Sequence, residues 1–130
     1  MTQDEASEAQ RLVGQLVTRV ALKPDAVALL FFEDHLRYTN TLYSSGRWHL
    51  KDNEGTTLDR DSKSAARTSF NLWKLVGSTV SGAHIVLGDR LLIQFDSGLK
   101  LSFEGAVFTS QDWKIDFEDG NSIVPAPSSG

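Results

Sequence analysis

Apolar and polar residues alternate over several short stretches of the chain and recur at helical spacing over two others. Residues 17–22, 26–32, 36–43 and 47–51 read as strands rich in Val, Ile, Leu and Phe, as do 80–86, 90–95, 99–103 and 112–117. The last is the clearest, with Trp113, Ile115 and Phe117 alternating with Lys114 and Asp116. Residues 122–124 make a short final strand. Lys23-Pro24-Asp25 and Leu87-Gly88-Asp89 are turns that end the first strand of each series. Phe95-Asp96-Ser97-Gly98-Leu99 reads as a tight hairpin in which Gly98 takes a positive φ. The matching Glu33-Asp34-His35 lacks glycine, which predicts a looser turn or one of another type. Ahead of each series the spacing predicts a helix. One covers 4–13, with acids in its first turn. The other runs from a cap at Asp61 or Ser62 through Leu75, with Ala66, Phe70 and Trp73 on one face and Gly77 just beyond its end.

The two series are alike. Residues 11–39 align without a gap on 74–102, with Leu12, Val13, Gly14, Val17, Leu29, Phe32 and Leu36 identical to Leu75, Val76, Gly77, Val80, Leu92, Phe95 and Leu99. After a slip of two residues the match resumes, with Trp48 on Trp113 and Gly55 on Gly120. Such self-similarity is the mark of an internal repeat. Neither half hides one face of its sheet alone, so the halves are expected to pack together. The expected fold is α+β, mainly antiparallel β, with two pseudo-symmetric helix-plus-β-meander repeats packed as one domain over 1–124. Repeat one covers about 4–55, the polar linker about 52–61, repeat two about 62–124 and a flexible tail 125–130.

Composition narrows the chemistry. The 130 residues suit one domain with a real core. With no cysteine there is no disulfide, thiolate metal site or cysteine nucleophile. A net charge of −4 argues against a nucleic-acid partner. The acidic start of the chain lacks the basic and apolar regions of a secretory signal. The longest apolar run, 26–32, falls well short of the ~20 residues of a membrane span. A cytoplasmic protein without a membrane partner is the expectation.

Candidate chemistry is sparse. His35, His49 and His84 match no metal-ligand spacing, and no nucleophile elbow, phosphate loop or dinucleotide fingerprint occurs. No cofactor, metal or catalytic residue is therefore assigned. A histidine acting as base beside Asp34 or Asp96 would need the fold to bring them together. The paired acids Glu33/Asp34, Asp116/Glu118 and Glu118/Asp119 read as turn and surface residues rather than a glycosidase pair. Most aromatics fall on the inward phase of the strands and read as core. One contrast stands out. The fourth strand of each repeat keeps its inward residues apolar, Trp48 and Leu50 against Trp113 and Ile115. Its outward residues change sign, from Arg47, His49 and Lys51 to Asp112, Lys114, Asp116 and Glu118. These last four are the candidate surface for a basic protein partner, which their charge would steer.

Leu75, Val76, Gly77 and Val80, followed by Phe95, Asp96, Gly98 and Leu99, resemble a pattern found in small bacterial β-rich proteins of unknown function. Some of those lie beside polymorphic toxins and are regarded as candidate immunity proteins. The resemblance implies a binding role and carries no active site, because the matching residues make the fold. The leading expectation is a non-enzymatic protein-binding module, an immunity-like inhibitor of a partner protein. The alternative is a small-molecule binder or small enzyme with a pocket between the repeats, using His84 or Tyr38 as polar groups. A third reading is a homo-oligomer that pairs through an open sheet edge.

Overall fold

The computed structural model describes residues 9–22, 28–35, 37–44, 47–60, 72–86, 90–104 and 113–124. Ten strands fill most of this length: β1 (Leu16–Leu22), β2 (Ala28–Glu33), β3 (Thr39–Ser44), β4 (Trp48–Lys51), β5 (Thr57–Arg60), β6 (Val80–Val86), β7 (Arg90–Phe95), β8 (Lys100–Phe103), β9 (Trp113–Asp116) and β10 (Ser122–Ile123). They form two five-stranded sheets in which every pairing is antiparallel. The first has the order β1-β2-β3-β9-β10 and the second β5-β4-β8-β7-β6.

This corrects the α+β expectation. The described residues hold no helix of seven residues or more, only two 3-10 turns, Gln10–Leu12 and Leu72–Leu75. The rest of both predicted helices lies outside the described residues. In a 3-10 turn, side chains three apart share a face. Ala9 with Leu12, and Leu72 with Leu75, are accordingly fully buried. Trp73, expected on the inward face of a helix, is 58% exposed. The predicted linker is corrected too, because Thr57–Arg60 pairs with β4 as a strand.

The expected meanders are also corrected. Each half contributes three strands to one sheet and then crosses to the other. β4 and β5 extend the sheet of β6, β7 and β8, while β9 and β10 extend that of β1, β2 and β3. The two strand orders become one when each first-half strand is exchanged for its second-half counterpart. Trp48 lies opposite Phe103 on β8, and Trp113 opposite Ser44 on β3. Both indoles are buried, and the inward side chains of both sheets join a single core with Phe32, Phe95, Phe103 and Phe117.

The sheets meet where the residues leading into β1 and β6 run antiparallel to each other. The Gly14 amide donates to the Val80 carbonyl at 2.8 Å and the Gly77 amide to that of Val17 at 2.9 Å. The Val17 amide donates to the Ser78 carbonyl and the Val80 amide to that of Gln15, both at 2.9 Å. These four bonds are reciprocal, each exchanging a residue for the one 63 positions away, with the Leu16–Thr79 bridge between them. Each sheet thus ends at its twin. The 3-10 turns cross over as well, the first packing on β6 and the second on β1.

Four hairpins share one turn. The amides of Asp34, Asp52, Phe95 and Phe117 donate to the carbonyls four residues on, and the fourth residue of each turn has positive φ. That residue is Gly55, Gly98 or Gly120 in three of them and Arg37, at φ 67°, in the first. The turn after β2 is thus the same type as its counterpart, against expectation, but displaced. Asn40 lies opposite Phe32, whereas Leu99 takes the place beyond Phe95. The ungapped alignment through Leu36 and Leu99 therefore fails; Leu36 itself lies outside the described residues. No helix among the described residues is long and apolar enough to cross a membrane.

Arginine in the left-handed region is strained, whereas glycine is not. Arg37→Gly should therefore raise the unfolding free energy by up to about 1 kcal/mol. Gly98→Ala should lower it by about 1 kcal/mol or more, because φ is +90° and a Cβ would sit 3.2 Å from that of Asn53. Urea midpoints of the two variants check both directions.

Candidate functional site

The register of the second sheet sets its outer face. Across β6, β7, β8 and β4, one row reads His84, Leu92, Ser102, His49. One pair further along, Gln94, Lys100 and Lys51 form a second row. On the other side Val86 pairs with Arg90, and the Glu104 amide donates to the Arg47 carbonyl at 2.9 Å. Strand alternation turns these side chains outward while Leu91, Ile93, Leu101, Phe103, Trp48 and Leu50 fill the core. Among the described residues the face therefore carries Arg47, Lys51, Arg90 and Lys100 against one acid, Glu104. Glu104 approaches Arg47 to 4.0 Å with both side chains well exposed, a contact of little energetic weight.

Lys51 and Lys100 are direct cross-strand neighbours. Like charges so placed oppose each other and weaken the pairing. Neither forms an ion pair among the described residues. Between the Arg90 end and the middle row lies a recess of about 280 Å³. Val86 and Leu92 are its outward apolar residues, the neighbouring Leu91 and Phe103 having their side chains in the core, and His49, Arg90, Ser102 and Glu104 are its polar ones. The recess opens on the outside of one sheet, not between the repeats. Gln94 leans over the backbone of Gly82, where a Cβ would meet its Oε1 at 2.6 Å. The equivalent place in the first half holds Arg19, stacked over Phe31 at 5.4 Å.

The four residues expected to face a basic partner are placed differently from one another. Asp112 lies outside the described residues. Lys114 and Asp116 project outward from β9, and the Lys114 ammonium sits 3.4 Å from the Asp116 carboxylate. Asp116 also accepts a hydrogen bond from the Ser122 hydroxyl at 2.7 Å. The Glu118 carboxylate accepts from the Thr39 amide, and the Glu118 amide donates to the Asn40 side chain at 3.0 Å. These acids tie β9, β10 and β3 together. Asp119 completes the corner, accepting from the Asn121 amide at 3.0 Å and from Arg11 at 2.7 Å, while Arg11 also stacks on Phe117. Asn40 reaches inward to the Gln15 side chain at 2.8 Å, so a buried polar chain links the first 3-10 turn to this corner. Sequence reading missed Gln15 and Asn40. Nothing in a strand pattern separates a buried amide from an exposed one.

The other candidates are not brought together. His35 is exposed in its turn and His84 is exposed on β6. The Asp34 and Asp96 carboxylates accept from the amides of Tyr38 and Thr79, each at 3.0 Å. Tyr38, proposed for a pocket between the repeats, is 49% exposed. The signal for the basic face was in the sequence as Arg47, His49 and Lys51. Its extension by Arg90 and Lys100 depends on the strand crossing.

Family models, curated proteins and solved structures offer no match to the chain. The resemblance to candidate immunity proteins rests on its eight residues alone.

Two outcomes follow from these contacts. The Asn121 amide, and then Arg11, hold the Asp119 carboxyl below its ordinary value of 3.8. A depressed carboxyl stabilises the fold above its unfolded value and ceases to do so as pH falls through the folded one. The stability difference between the native chain and Asp119→Asn should thus be full at neutral pH and vanish in acid below 3.8. Denaturant titrations across that range read it. Separately, Lys100→Glu should raise the unfolding free energy by about 0.2–1 kcal/mol at low salt, with the gain shrinking as salt is added.

Proposed function

We propose that this protein is a non-enzymatic protein-binding module that acts by covering a surface of a partner protein. An inhibitor of the immunity kind is the form the sequence resemblance implies. The observation that supports the reading is the contrast between structurally equivalent outer positions. The crossed strands β4 and β9 keep Trp48 and Trp113, Leu50 and Ile115 in the core. Lys51 on one is matched by Asp116 on the other, and His49 by Lys114. The shared fold makes the same demand on both strands, so the outward difference is left to something other than folding. A surface that presents one sign of charge on a rigid sheet directs association and register with a partner.

The test is capture from the native host by crosslinking, followed by measurement with the purified pair. A one-to-one complex with both proteins covalently unchanged after prolonged incubation is the expected result. Failure of every captured candidate to bind in purified form, or turnover of a captured small molecule, would sink the reading.

A further inference from the structure

We propose that the outer face of the second sheet is the docking surface, and that its occupant is an acidic segment of a partner protein carrying one apolar side chain. This rests on the binding-module reading and adds the chemistry of the partner.

Four cations frame the face, Arg90 and Arg47 at one end, Lys100 and Lys51 at the other. At ~3.3 Å per residue and ~4.8 Å per strand, the frame measures about 13 Å by about 10 Å. It lies within a chain of net charge −4, so the basic character is local. Lys51 and Lys100 face each other across one strand pair, an arrangement the fold alone would relieve by placing an acid at either position. An acidic partner supplies that relief on binding. At the Arg90 end of the frame the recess with Val86 and Leu92 as its outward apolar residues accepts one apolar side chain, with Arg90 and Glu104 among its lining. An apolar anchor ringed by polar contacts is the usual form of a protein-binding hot spot.

A nucleic acid fits less well. Single strands are held by bases stacked on aromatic side chains. The described outward positions of this sheet carry no Phe, Tyr or Trp.

The probe is a fluorescent Glu-rich peptide with one central Leu, its anisotropy followed on the intact protein at low and physiological salt. Binding should weaken by about tenfold or more in the Arg90→Glu/Lys100→Glu variant and on adding salt. Replacing the peptide Leu by Ser should also weaken it. Asp116→Lys, on the other sheet, should leave it unchanged. Because Lys100→Glu removes a repulsion, and urea unfolding verifies that the double variant is folded, lost binding is not lost structure. No binding of the peptide, binding indifferent to the double reversal, or tighter binding of a single-stranded oligonucleotide of equal charge would each overturn the proposal. A host partner whose binding survives the double reversal would overturn it while leaving the binding-module reading intact. If no purified partner and no peptide binds, both fall.

Discussion

Everything in this architecture hangs on the exchange of four backbone hydrogen bonds between residues 14–17 and 77–80. A strand at the edge of a sheet presents a row of amides and carbonyls that must be covered or paired. Here the starts of β1 and β6, edges that each half would expose alone, pair with each other through residues 14–17 and 77–80. The fourth strands then complete the arrangement by crossing, so that neither half has a sheet of its own. Trp48 and Trp113 follow from that crossing, because each is carried into the sheet built by the other half and buried there. The interlock gives one core instead of two, which suits a chain too short to stabilise two separate ones.

Much of this was legible from alternation alone. Strands β6, β7, β8 and β9 fall within a residue or two of the pattern in Val80–Val86, Arg90–Phe95, Lys100–Phe103 and Trp113–Asp116. Pairing between distant strands is not written in alternation, and the crossing of β4 and β9 was therefore invisible. Only the end of each predicted helix is described, and there the chain makes a 3-10 turn. A period near three and a period near 3.6 cannot be told apart over one turn, and the bonds from the Val13 amide to the Gln10 carbonyl and from the Val76 amide to that of Trp73 decide for the tighter one. β5 was lost to its polar composition. On this edge strand Leu58 is half-buried and Asp59 buried while Thr57 is exposed, and a buried aspartate has no apolar signature.

The turns show how far local chemistry carries. Glycine marked three of the four turns, and its absence suggested that the remaining one differed. The backbone adopts the same turn there with Arg37 in the strained position, since the hydrogen-bond pattern and strand register outweigh a local preference. Asp34 helps hold it, accepting from the Tyr38 amide. The candidate site divides in the same way. The outward charges on β4 were readable as residues, but the face they belong to is assembled by Arg90 and Lys100 from the other half. The acids of β9 and the turn after it, conspicuous in sequence, are joined to Ser122, Thr39, Arg11 and the Asn121 amide.

Equivalent positions in a repeated fold act as an internal control. Where both halves must meet the same packing demand, they keep the same kind of residue, as at Leu42 and Leu101 or Leu50 and Ile115. Where they differ without such a demand, the difference carries information about something else. Lys51 faces Lys100, whereas Asp116 faces Thr41. The first arrangement costs stability and the second does not, by the ordinary behaviour of cross-strand pairs. A fold able to manage without the repulsion on one side retains it on the other, on the face that also carries the recess at Val86 and Leu92. That combination places the local cost of charge on the same face as a recess able to hold a partner's side chain, which is where binding free energy would offset it.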